Sequence, residues 1–381
     1  MLFAIMPLMV CAFWSITLAL GLKASGWKRH RAYLLLFMVT ATLLYMGHYV
    51  YFSHMRALLP LTDTIYVASN LAVYPLYYLY IRSLTCRKHS PWQWLALLPA
   101  VALGITVGVL YAVMDGTERE AFISGYLYGN QPVHFTGVPF MQAVTHSVCK
   151  GVFALLILPV LVWGSIHIHD FNRLVNAVYA DTEEKTLTPV RHMLVAFVVT
   201  SLVSFAANVI GRQMFDEPHH LLAIPSTLFS VLLFAIGYIG HHQQFSIEDV
   251  DRDEQRADND VPIMPATTEL RRRIEHLMET QELYRRQNLK IVDLVSLLHS
   301  NRNYVFQAIN REMNMSFNEY VNRLRVDYAE REIKNDPAKP LYQIGEQAGF
   351  ASNTSFYRNF KLYKGIGPKD FQQQAKEGIV S

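Results

Sequence analysis

Nearly all the long apolar runs of this 381-residue chain lie before residue 242, and charge is dense only after it. That segregation constrains the fold more than any single motif. A run of roughly 20 apolar residues can cross hydrocarbon only as a helix, because every backbone N–H and C=O must be satisfied within it. Seven stretches fit: Leu2–Leu22, Ala32–Phe52, Thr64–Leu84, Trp92–Met114, Cys149–His169, Val190–Arg212 and Leu221–Gly240. The third is interrupted by Asn70 and Pro75. The whole chain is 17% charged, below the quarter or so usual for soluble proteins, and the deficit falls on these stretches. The first has no basic residues ahead of it, so it is expected to be a retained helix rather than a cleaved leader.

Lys and Arg concentrate on alternate loops. The first holds Lys23, Lys28, Arg29 and Arg31, the third Arg82, Arg87 and Lys88, and the fifth Arg173, Lys185 and Arg191. The second has only Arg56, the long fourth only Arg119, and the sixth Arg212 beside Asp216 and Glu217. The positive-inside rule then puts the odd loops in the cytoplasm, the N-terminus outside and the C-terminus inside.

Other features of the bundle are read as structural. Cys11, Cys86 and Cys149 have no metal spacing and are expected to pack. The pairs His219–His220 and His241–His242 are expected to anchor helix ends, and no metal or cofactor is expected. Asn70, Asn208, His48 and Gln142 suit hydrogen bonds between helices. Tyr74, Tyr77, Tyr78 and Tyr80 suit an interfacial belt and packing. The fourth loop, 115–148, with Gly125, Gly129, Pro132, Gly137 and Pro139 among Tyr126, Tyr128, Phe135 and Phe140, is the expected outward sensing surface. His134 also lies there.

Residues 243–268 are strongly acidic and then proline-bearing, with too little apolar content to fold alone. They read as an acidic, flexible tether. Residues 269–381 carry 18 Lys and Arg against 14 Asp and Glu, a net charge of +4. Helical periodicity returns here. Glu269–Tyr284 and Leu289–Leu298 read as helices, and Asn301 as the N-cap of a helix over Tyr304–Met313. Ser316 and Glu319 form a capping box at the head of a long helix, Phe317–Asn335. Then come a short helix opened by Pro340, a turn at Gly349, and a last reading helix from Ser352. This is the grammar of a helix-turn-helix.

The stretches NEYVNRLRVDYAE and IGEQAGFASNTSFYRNFKLYKGIGPKDF carry a resemblance to the AraC/XylS family of bacterial transcription regulators. Ile344, Ala348, Gly349, Phe350, Ser352, Phe356, Arg358, Phe360, Lys361, Gly365, Pro368 and Phe371 fill that family's spaced signature. The resemblance implies an all-α fold for this part, with two helix-turn-helix units joined by one long helix. A helix of about 20 residues spans about 30 Å, close to one turn of B-DNA at about 34 Å. It also implies double-stranded promoter DNA as partner. The expected contacts are Arg302, Asn303, Phe306, Gln307 and Asn310 in the first unit, and Asn353, Thr354, Tyr357, Arg358 and Lys361 in the second. Arg358 suits guanine or phosphate, and an outward Phe306 suits a thymine methyl or a dimer contact. Lys361, Lys364 and Lys369 are phosphate candidates.

The chain is therefore expected to be all-α: a bundle of about seven transmembrane helices at 1–242, a tether at 243–268 and a double helix-turn-helix at 269–381. It reads as a transcription regulator of the bacterial inner membrane that couples an external or intramembrane signal to promoter binding. Further partners are the lipid bilayer, RNA polymerase, a second copy on DNA and a signal molecule. The alternative is a transporter or channel with a regulatory helix-turn-helix domain. No catalytic dyad or phosphate loop argues for an enzyme.

Overall fold

The computed structural model describes residues 2–25, 28–88, 90–129, 136–210, 222–257 and 267–378. His134, Pro132, Phe135, Arg212, Asp216, Glu217, His219, His220 and tether residues 258–266 lie outside them, as does the side chain of Asn208. The described residues are all-α: no strand forms, and one isolated bridge joins Tyr179 and Lys290. The chain divides into two compact units. One is Met1–His169 with Leu187–Ser246, and the other is Asp170–Thr186 with Ile247–Ser381.

Seven helices of the first unit fall on the seven apolar stretches: α1 (Leu2–Ser25), α2 (Arg29–Phe52), α3 (Leu59–Thr85), α4 (Leu98–Val113), α6 (Gly137–Val178), α7 (Thr188–Ile210) and α8 (Ala223–His242). α6 ends inside the second unit. A short helix, α5 (Gly116–Phe122), precedes α6. By length and composition, α1, α2, α4 with the turn before it, α6 and α8 could cross a membrane, while the apolar part of α7, Thr188–Val203, is shorter. α3 does not reach that apolarity, although it is 27 residues long. Its position explains why. α3 packs against α2 and α4, and Val67, Leu71, Tyr74, Tyr77, Tyr80 and Leu84 on it are all buried. A helix enclosed by other helices can carry polar residues that would be costly against lipid. Tyr74, Tyr77 and Tyr80 are thus core residues rather than a belt. Tyr74 stacks on Phe197 and meets Phe153 edge-on, Tyr77 packs on Phe37 and Phe197, and Tyr80 packs on Tyr77.

Close approach within the bundle rests on small residues. A methyl added at Gly104 would sit 2.8 Å from the Ala68 side chain, and one at Gly237 would enter the Trp14 ring at 2.4 Å.

The fourth loop is shorter than the sequence suggests. Asp115 caps α5 by accepting from the N–H groups of Thr117 and Glu118, both at 2.8 Å, and Glu118 reciprocates. A π-helical turn follows at Ile123–Tyr128. It is pinned by the Tyr51 hydroxyl donating to Leu127 O at 2.7 Å and Tyr128 donating to Tyr51 O at 2.9 Å. α6 begins at Gly137, twelve residues before the expected span, and runs 42 residues. That is about twice what a membrane crossing needs.

In the second unit the acidic stretch is not wholly an extended tether. Ile247–Ala257 forms α9. It buries Ile247 and Val250 and packs on α11 (Ile291–Leu298). The composition argument failed there because two apolar residues three apart suffice to dock one helical turn. α10 (Thr267–Thr280), α11 and α12 (Arg302–Gln307, continued by a π-helical turn at Ala308–Glu312) make the first helix-turn-helix, around Leu270, Ile274, Leu294, Val305 and Ile309. α13 (Phe317–Asn335) has the expected capping box: Ser316 Oγ accepts from Glu319 N, and Glu319 accepts from Ser316 N at 2.7 Å. α14 (Leu341–Gln347), α15 (Asn353–Lys364) and α16 (Pro368–Lys376) enclose Phe350, Phe356, Phe360 and Phe371 with Val326, Ala329 and Ile333 of α13. Each such phenylalanine contributes about 1.5–3 kcal/mol by burial.

Candidate nucleic-acid interface

α15 is set by its ends. Ser352 is extended and accepts from Ser355 N at 3.1 Å, and Gly365 closes the helix at φ +79°. Phe356 and Phe360 take the core face. Asn353, Thr354, Arg358 and Lys361 are left exposed, with Thr354 and Arg358 one helical turn apart. Tyr357 differs from expectation. It is half-buried, edge-on to Phe356 and packed on the core.

In the first unit Asn301 caps α12 by accepting from Asn303 N at 2.8 Å. Asn303 is exposed, and Phe306 is 36% exposed. Arg302, Gln307 and Asn310 are half-buried rather than exposed. The Asn310 side chain donates to Phe306 O at 3.1 Å. That amide thus bonds back onto the carbonyl four residues earlier in its own helix, a local feature that residue spacing does not reveal.

The phosphate candidates separate. Lys361 and Lys369 are exposed. Lys364 turns back onto α13, 2.8 Å from Asp327 and 2.5 Å from Glu330. Burial pulls its pKa down, but the two carboxylates more than offset this and hold it above the usual lysine value.

The sequence pattern also missed a buried network that ties the unit together. Val321, Arg325, Ala329 and Ile333 repeat every four residues on α13, and all four are fully buried. A guanidinium on that stripe requires a counter-ion. It comes from the segment between α6 and α7: Asp181 Oδ1 meets Arg325 Nη1 at 2.7 Å and Oδ2 meets Nη2 at 3.3 Å. Arg325 also donates to the carbonyls of Tyr284 (2.8 Å) and Arg286 (3.0 Å). Around this pair Asn288 N donates to Asp181 at 2.9 Å, Ala180 N donates to Leu289 O at 3.0 Å, and Asn318 and Asn322 both donate to Ala180 O. On α9, Asp253 accepts from Tyr179 at 2.7 Å and from Lys290 at 2.9 Å. Two residues beyond Asp181, Glu183 accepts from Ser352 Oγ at 2.6 Å and lies 3.2 Å from Arg358. The register of Arg325 is the one signal in the sequence that could have announced a partner; nothing local marks Asp181 or Glu183.

A family model described as "Helix-turn-helix domain" matches residues 294–374. The Melibiose operon regulatory protein of Escherichia coli is 28% identical over 91 residues, 24% of this chain and 30% of that protein. The C-terminal third carries an AraC-type helix-turn-helix domain. The Msm operon regulatory protein of Streptococcus mutans is 25% identical to this chain over 87 residues, 23% of it and 31% of that relative. The Uncharacterized HTH-type transcriptional regulator YtdP of Bacillus subtilis is 32% identical over 89 residues, 23% of this chain and 11% of its own length. The chain thus spans under a third of the length of these curated relatives. No solved structure matches it significantly. The AraC-type domain is a DNA-binding one, and its second helix-turn-helix is α14–α15.

The first unit holds a second feature of interest, a cavity of about 230 Å³ lined by aromatic and aliphatic side chains, with His48, Asp63, Asn70 and Lys150 among its polar groups. Asp63, at the head of α3, is buried and accepts from the Tyr111 hydroxyl at 2.8 Å, with His146 Nε2 also at 2.8 Å. Residue spacing missed this cluster because Asp63 borders an apolar run and His146 fell in the expected loop. Among the described residues no three His, Cys, Asp or Glu side chains are placed to hold a metal ion.

Proposed function

We propose that the chain is a transcription regulator embedded in the bacterial inner membrane, in which the helical bundle receives a signal and the AraC-type domain binds a promoter from the cytoplasmic face. One observation carries the proposal: helices long and apolar enough to cross a membrane share a chain with an AraC-type helix-turn-helix domain. The loop charges support an outside N-terminus and a cytoplasmic C-terminus. The relatives named as operon regulators support transcription control rather than an enzyme activity.

At the DNA, the reading helices α12 and α15 enter major grooves, with Asn353, Thr354 and Arg358 of α15 meeting base edges or phosphate. Lys361 and Tyr357 continue that face, and Arg302, Asn303, Phe306, Gln307 and Asn310 supply the first unit's contacts. A second copy on a repeated site adds effective concentration without new contacts, and RNA polymerase is the downstream partner. The cavity with its Asp63–His146–Tyr111 cluster supports a small-molecule signal that acts within the bundle.

Genome-wide mapping of DNA bound by the tagged full chain tests this, combined with membrane fractionation and a transcript comparison against a deletion strain. Discrete bound sites beside genes whose transcripts change, with the protein in the membrane fraction, are expected. Recovery in the soluble fraction, or an absence of discrete sites, would overturn the proposal.

A further inference from the structure

Glu183 sits at the head of α15, against its N-cap Ser352 and the exposed Arg358. Helix N-termini attract anions, because free N–H groups and the macrodipole both favour negative charge there. In a helix-turn-helix this end of the second helix faces the groove and its flanking backbone. The Glu183 carboxylate meets the N-cap Ser352 at 2.6 Å and the exposed Arg358 at 3.2 Å. Of the two, Arg358 is a group assigned above to DNA, and a carboxylate there also repels phosphate.

The segment that delivers Glu183 is firmly seated. Asp181 is locked to the fully buried Arg325, Ala180 is bonded at its N–H and its carbonyl, and Tyr179 is held through Asp253. Arg358 itself is 58% exposed at its side chain, so its pair with Glu183 is open to solvent and exchangeable. Anchor and tip therefore differ: a buried ion pair fixes the segment, and at its tip Glu183 pairs with an arginine that is largely open to solvent.

The segment is also continuous with α6. That helix runs unbroken from Gly137 to Val178 and ends one residue before Tyr179. Its earlier residues His146, Cys149, Lys150 and Phe153 line the cavity of the first unit.

We propose that residues 179–185 form an intrachain interaction surface that competes with DNA at the head of α15, with Glu183 standing in for a backbone phosphate. The proposal rests on the DNA-binding reading above. Its occupant is this acidic segment of the same chain, and the partner it displaces is the sugar–phosphate backbone.

The test uses the full chain in lipid nanodiscs and a fluorescent duplex enriched from a random-sequence pool by that chain. Affinities are measured for wild type, E183Q, E183K, R358A and the E183Q/R358A double variant across a salt series. E183Q keeps an acceptor for Ser352 and removes only the charge, so folding is preserved; circular dichroism checks this. E183Q should tighten binding by up to about fivefold, the upper end for one exposed ion pair, and E183K further. Freeing Arg358 for phosphate should steepen the dependence of log affinity on log salt by about one. In the R358A background the E183Q gain should largely disappear. If R358A weakens binding while E183Q and E183K leave it unchanged, the competition is wrong and the DNA-binding reading stands. If no variant binds any enriched duplex, that reading fails and the competition fails with it.

Discussion

Between α14 and α15 the chain turns on Gly349 at φ +92°, whereas between α11 and α12 it turns on His299 at φ +45°. Both turns need a left-handed residue, but for different reasons. At Gly349 a methyl group would lie 2.4 Å from the Arg285 carbonyl oxygen, so the backbones are in contact and only glycine fits. His299 is exposed and closes α11 with its own N–H bonded to Ser296 O. That conformation costs roughly 1–2 kcal/mol for a residue with a side chain, and nothing crowds it. The reading helices differ as well. α15 is a regular 12-residue helix with a capped start and a glycine stop, and α12 gives way after six residues to a π-helical turn. The second reading helix is thus set by its own caps, but the turn before it is set by a backbone 64 residues away, whereas the first turn is free of such a neighbour.

The largest expected effect tests what the halves share. Arg325 is fully buried on the connecting helix and paired with Asp181. Asp181→Ala would leave that guanidinium without its counter-ion, at a cost of about 3–5 kcal/mol. Hydrogen exchange should then show protection lost in both α12 and α15. Loss confined to one half would mean that Arg325 does not join them.

Gly349→Ala comes next, with an expected loss of about 2–3 kcal/mol from left-handed strain and the Arg285 clash. Exchange should accelerate in α14 and α15 before α11, and equal acceleration in both halves would erase the contrast. For DNA, Arg358→Ala should weaken specific binding of the full chain by about 1–3 kcal/mol. Asn310→Ala should do less, because that amide is engaged on its own helix; fluorescence anisotropy compares the two. His299→Gly should raise thermal stability slightly, by about 0.5 kcal/mol, since relieved strain exceeds the added chain entropy.

The smallest effect is a pH dependence. Lys364, by its hydrogen bond first of all, holds the Glu330 carboxyl below its usual 4.5. A carboxylate with a depressed folded-state pKa stabilises above its unfolded value and loses that contribution as pH falls through the folded one. The second half should therefore weaken as pH drops below about 4.5, and Lys364→Met should flatten that part of the acid-unfolding curve.

Sequence alone determined a good deal of this protein. Apolar run length placed seven helices before residue 242, because backbone groups away from water must bond within their own helix. Cap chemistry placed Ser316 and Ser352, because each acts on the backbone within a few residues of itself. What tertiary structure decided is where non-neighbours meet. α3 tolerates Asn70 and its tyrosines because other helices enclose it. Asp63 and His146 lie 83 residues apart and form one cluster. The acidic stretch at 247–257 becomes a helix because α11 offers it a surface. Above all, Asp181 and Glu183 lie in a loop that carries no motif. Arg325 and Arg358 wait for them more than 140 residues further on. An ion pair is specified by two positions in space, and the sequence shows only that a buried arginine must have one.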